Sequence, residues 1–115
     1  MVPRKKSAKI KNIIDFIQQN IYNKEMTKIS FISNKFNISP SSLSTGFKKT
    51  TGESLHQYLT KYKMKLATDR LVKTSYTVAQ IANQLGFTDE SHLTKTFKKF
   101  FGKSPKQFRQ EMSKN

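Results

Sequence analysis

Two lysine pairs close the same short phrase in this chain: Phe47-Lys48-Lys49 with Gly52 behind it, and Phe97-Lys98-Lys99 with Gly102 behind it. Paired ammonium groups neutralise phosphates, and Lys48, Lys49, Lys98 and Lys99, with Ser42, are candidate phosphate contacts. The other polar residues just ahead of each pair are of types that read base edges: Ser41, Ser44 and Thr45 in the first copy, Ser91, His92, Thr94 and Lys95 in the second. A hydroxyl pairs with several base edges and encodes little, whereas a lysine donates to guanine O6 and N7. For catalysis the material is poor. The acids are scattered, cysteine is absent, and there is no glycine-rich loop or metal-spaced histidine pair. Gly102-Lys103-Ser104 has the ending of a phosphate-binding loop, but that motif needs glycine where Phe97 stands. No enzyme, cofactor or metal site is expected.

The overall charge agrees with that chemistry. Twenty-two basic residues against seven acidic ones leave +15 over 115 residues, a self-repulsion tolerated most readily where a polyanion supplies the counter-charge. Nucleic acid leads as partner and an anionic membrane surface follows. The missing cysteine excludes disulfides and suits a reducing compartment. Behind the basic start "MVPRKKSAKI" the isoleucines are interrupted by Lys11, Asp15, Gln18 and Gln19, which excludes a signal peptide or spanning helix there.

The elements that must hold these residues are helices. Ile10, Ile13, Ile14, Ile17 and Ile21 fall on one stripe of an amphipathic helix. Ile29, Ile32 and Phe36 predict a second, shorter helix, and Leu43 with Phe47 a third. Between those two, Asn37 suits a left-handed turn, Ser39 an N-cap and Pro40 the first helical position. The later copy repeats the grammar: Val78, Ile81, Ala82 and Leu85 form a short helix, Gly86 takes the place of Asn37, and Thr88 is expected to cap a helix burying Leu93, Phe97, Phe100 and Phe101. Ile38 and Phe87 lie 49 residues apart, Phe47 and Phe97 50 apart, so one residue is inserted between the copies. Ser104, Pro105 and Gln107 read as cap, first and third residues of a closing helix.

The matched residues are apolar, glycine or the lysine pair, and the unmatched ones are polar and turned outward. Two similar helix-turn-helix units therefore present two different faces. Plainer readings stand beside this one: Gly46 as a close-packing position, His92 as an idle surface residue, His56 as inert, the lysine pairs as solvated faces. Between the copies Ser54 to Thr74 opens on a Ser54–Gln57 capping box and carries two apolar faces, Leu55, Tyr58, Leu59, Tyr62 and Leu66 early, Met64, Ala67 and Leu71 late. Such a helix is a strut of roughly 30 Å, near the ~34 Å between successive major-groove segments on one side of B-DNA. The expected fold is all-α, about seven helices in two helix-turn-helix subdomains joined by a long linker helix. Its divisions are a basic arm or linker over 1–9, subdomains over 10–53 and 75–115, and the linker helix over 54–74.

The segment "VAQIANQLGFTDESHLTKTFKKFFGKSPKQFR", Val78 to Arg109, resembles the signature of AraC/XylS-type bacterial transcription regulators, through Ile81-Ala82, Gly86-Phe87, Phe97-Lys98-Lys99, Gly102, Pro105 and Arg109 at their mutual spacing. The likeness extends back to about Ile10. It implies sequence-specific binding of double-stranded DNA, with recognition helices at about 40–49 and 89–101 entering adjacent major grooves. It also implies a cytoplasmic protein at the bacterial nucleoid, with RNA polymerase as a second partner. Family members commonly carry a further effector-binding or dimerisation domain, for which this chain has no residues to spare, so it reads as a stand-alone member or a fragment. Departures from the family pattern are Thr45 where a basic residue is frequent, Gly46 where a larger apolar one is usual, Lys63 in place of arginine and Arg70 in place of leucine. The charge alone leaves the alternative of a non-specific basic DNA-coating protein. An RNA-binding module lacks the strand pattern it would need.

Overall fold

The computed structural model describes residues 2–113, and the side chains of residues 9–113. Among them are seven α-helices and no strand: α1 (Val2–Gln19), α2 (Ile29–Lys35), α3 (Pro40–Thr51), α4 (Leu55–Lys73), α5 (Val78–Gln84), α6 (Glu90–Phe101) and α7 (Pro105–Ser113). The chain divides into two compact units, Met1–Thr60 and Lys61–Asn115. The backbone of α1 begins at Val2, inside the segment read from sequence as an arm, whose basic side chains other than Lys9 lie outside those described.

In the first unit Ile10, Ile13, Ile17 and Ile21 of the α1 stripe are buried with Ile32, Leu43, Phe47 and Leu55. Ile14 is only partly covered. α3 packs on α1 and α2. The expected stripe of α2 needs correction. Only Ile32 of its three apolar residues is buried, Ile29 is exposed, and the second buried position is Ser33, whose hydroxyl donates to the Ser30 carbonyl. A seven-residue helix has two turns and room for little more than one apolar anchor. Phe36 follows it as the C-cap and meets Phe16 edge-on at 5.7 Å, while Phe31 stacks on the same ring at 6.1 Å. The Ser54–Gln57 capping box forms, and Tyr58 of α4 lies 5.5 Å from the Phe47 ring and accepts from Gln18 at 2.7 Å.

The second unit has one continuous core of Met64, Ala67, Leu71, Val78, Ile81, Ala82, Leu85, Leu93 and Phe97. The late apolar face of α4 is thus the face this unit uses. α5 starts on a Thr77–Gln80 capping box that the sequence reading did not single out. α7 starts as expected, the Ser104 hydroxyl accepting from the Gln107 N–H. Arg109 reaches back to the end of α4, donating to the Leu71 carbonyl at 2.9 Å and the Thr74 carbonyl at 3.2 Å. A helix leaves its last carbonyls unpaired and partly negative, so a guanidinium there both satisfies and neutralises them. Phe100 and Phe101, expected in the core, are 47% and 36% exposed. They stand in the last turn of α6, where no element covers them fully, and pack on each other at 5.0 Å, with Phe101 also against Phe97 at 4.6 Å.

Candidate nucleic-acid interface

Each unit builds its outward face by the same local chemistry. Asn37 holds φ of 53° and Gly86 φ of 76°, the left-handed geometry that breaks α2 from α3 and α5 from α6. Asparagine and glycine tolerate it better than other residues. Ile38 N–H then closes on the Ser33 carbonyl and Phe87 N–H on the Ala82 carbonyl, which makes each turn tight.

In the first unit Ser39 caps α3, its hydroxyl accepting from the Ser42 N–H at 3.1 Å, and Pro40 takes the first helical position. Leu43, Gly46 and Phe47 are buried. The opposite surface carries Ser41, Ser42, Ser44, Thr45, Lys48 and Lys49, all exposed. Gly46 is thus turned to the core and away from that surface.

In the second unit the cap is Asp89, one residue later than the expected Thr88; its carboxylate accepts from the His92 N–H at 2.8 Å. Both residues suit a cap, and the path of the chain puts Asp89 at that place, where the macrodipole also favours its carboxylate. Leu93 and Phe97 are buried. Ser91, His92, Lys95, Lys98 and Lys99 are exposed, and Thr94 is half-buried on the flank. Both lysine pairs lie in a last helical turn, where the macrodipole also favours cations by about 0.3–1 kcal/mol.

All the sequence candidates thus stand on α3 or α6, and within each helix they share the surface turned from the core. The residues that sequence reasoning missed support them from behind. The ring of Phe87 meets His92 edge-on at 5.1 Å and carries Lys63 Nζ 5.0 Å above its centroid. Nothing in the spacing announces that contact, since Lys63 is remote in sequence. An open groove of about 460 Å³ at the α2–α3 turn is lined by serines and asparagines with Ile38 and Pro40, and by no ionisable group. Among the described residues no three His, Cys, Asp or Glu side chains gather as metal ligands, and no helix is long and apolar enough to cross a membrane.

Residues 32–111 match the family described as "Helix-turn-helix domain". The chain is 31% identical over 100 residues to the multiple antibiotic resistance protein MarA of Escherichia coli, covering 87% of itself and 77% of that protein. The chain belongs to the AraC/XylS family. Within the family it is also 36% identical over 88 residues to the Msm operon regulatory protein of Streptococcus mutans, covering 76% of itself and spanning about a third (32%) of that longer protein. Among solved AraC/XylS-like structures, the C-terminal domain of the two-component response regulator yesN from Fusobacterium nucleatum superposes with a TM-score of 0.82 at 31% identity, covering 86% of this chain and 95% of that one. Two helix-turn-helix units linked through α4 are thus the family architecture.

Proposed function

We propose that this chain is a sequence-specific reader of duplex DNA that regulates transcription, laying α3 and α6 into adjacent major-groove segments. The observation that carries the reading is the repeated scaffold with unlike polar sets: Ser41, Ser44 and Thr45 exposed on α3, Ser91, His92 and Lys95 exposed on α6 with Thr94 half-buried beside them. A protein that only coated DNA would gain from lysines and need no such difference. Ser42 and the lysine pairs hold the phosphates on either side of the bases being read. Lys95 makes the second unit the stricter reader, because it donates to guanine O6 and N7 and finds no equal attraction at adenine's amino edge. The role is one of binding, without a catalytic step. Its place is the cytoplasm, on nucleoid DNA, and its second partner is RNA polymerase, since a regulator acts by changing what the polymerase does at a promoter.

A competition titration on a selected duplex and its scrambled counterpart tests this. The reading requires a preference of ~10³-fold or more for the selected site. Near-equal affinity for both duplexes means a coating protein and overturns it.

A further inference from the structure

His92 differs from every other candidate on the two recognition helices: among the described residues its side chain alone makes a ring contact, hydrogen bond or ion pair within the protein. The backbone does not explain this. His92 N–H is held by the Asp89 cap just as Ser42 N–H is held by the Ser39 cap, so the two positions are equivalent in the two units. What changes is the pair of side chains. Where the first unit has Ile38 and Ser42, the second has Phe87 and His92, and the two rings meet at 5.1 Å with their planes 82° apart. Phe87 is fixed in turn. It packs against the core of its unit, and Lys63 of α4 sets its ammonium 5.0 Å from the centroid of the same ring. The edge-on geometry is one that aromatic pairs favour.

From this chain of contacts we infer that Phe87, held by Lys63, is a positioning residue that orients the His92 imidazole for base recognition. The inference rests on the DNA-reading function above and adds a determinant of its specificity. An exposed side chain that samples several rotamers must be ordered when it enters the groove, and until then it accepts many partners. A braced ring arrives already oriented. Its N–H meets an acceptor on a base edge, such as guanine N7 or O6, only where distance and angle are right, so a small displacement removes the bond. Lys95 contributes charge that tolerates misplacement, and His92 contributes geometry that does not. Phe87 touches no base in this account and acts only through His92.

Two measurements test it on the full chain. In the free protein, two-dimensional NMR of the imidazole protons is simple because there are two histidines, and His56 is the internal reference. The His92 ring signals should be displaced by the Phe87 ring current and return toward those of His56 in Phe87→Leu, and partly so in Lys63→Met. Signals already at the His56 positions in the unaltered chain overturn the bracing. With DNA, affinities are measured on the selected duplex and on base-pair variants under α6, for Phe87→Leu, His92→Ala and the double variant. Phe87→Leu should cut discrimination about tenfold at one base pair, leave the other ratios unchanged, and add nothing in the His92→Ala background. Additive losses, or equal weakening on every duplex, mean a structural role and overturn the inference. If Phe87→Leu melts below the working temperature, Lys63→Met, which keeps a long side chain on α4, must show the same single-position loss in smaller measure; no such loss is a refutation. A chain that discriminates no duplex at all sinks the underlying function instead, while the NMR result still judges the brace.

Discussion

α3 and α6 have the same length, 12 residues each, and both end on a left-handed glycine, Gly52 or Gly102. Both bury a leucine and, four residues on, a phenylalanine: Leu43 and Phe47 in one, Leu93 and Phe97 in the other. Outside the core they share the lysine pair of the last turn and diverge ahead of it. The first starts on a hydroxyl cap with no acid in its first turn and shows hydroxyls; the second starts on Asp89 and Glu90 and shows a lysine and a braced imidazole. The two units that hold them also differ in cost. Among the described residues the buried polar atoms without a hydrogen-bond partner, Arg70 Nη1 and Gln84 Oε1, both belong to the second unit. A fold repeated within one chain needs its apolar grammar twice, and leaves the polar vocabulary of each copy free to change.

The largest effects expected are on that grammar. Phe47→Ala and Phe97→Ala each remove a fully buried ring and should cost about 3–5 kcal/mol in urea unfolding. A loss under 1 kcal/mol at either position breaks the equivalence of the two units. Next come the faces. Lys95→Ala should relax base preference at one or two positions by about 1–3 kcal/mol, with Thr45→Ala changing specificity less. The comparison reverses if Thr45→Ala or Ser41→Ala erases a preference while Lys95→Ala weakens every duplex alike.

Smaller changes sharpen the contrast in cost and caps. Arg70→Leu removes an orphaned buried donor and should stabilise the chain by about 1 kcal/mol in the same unfolding assay. A destabilisation shows that the guanidinium is needed. Ser39→Ala and Asp89→Ala should each cost about 1 kcal/mol, the second somewhat more because its cap is charged; equal tolerance of both losses removes the distinction between the caps. Smallest of all, Lys49→Ala and Lys99→Ala should each flatten the dependence of log K on log salt by about one, on selected and random duplexes alike. A lysine whose removal leaves the slope unchanged faces away from DNA.

The sequence displays one half of this comparison well and the other poorly. Helices, turns and the caps at Ser39, Ser54 and Ser104 were legible because each follows from a local rule: apolar spacing, a residue that tolerates positive φ, a hydroxyl before proline or three residues before glutamine. Thr88 failed as a cap because threonine and aspartate are adjacent and both cap well; only the chain's path decides between them. Phe100 and Phe101 failed because periodicity tells which side of a helix a ring is on and not whether a neighbour reaches its last turn. The outward candidates were legible as the complement of the core. What supports them was not, since Lys63, Phe87 and His92 come together only through the packing of α4 against the turn before α6. The same holds for Arg109, whose partners are backbone carbonyls that no side-chain pattern records.

The central claim is that one chain reads two unlike half-sites with two like units. Selection of bound duplexes from a random pool tests it most directly. The expected consensus is asymmetric, spans about 20 base pairs with two informative segments a helical turn apart, and is occupied by a single chain, with the more sharply defined segment losing definition in Lys95→Ala. A palindromic consensus occupied only by dimers contradicts it.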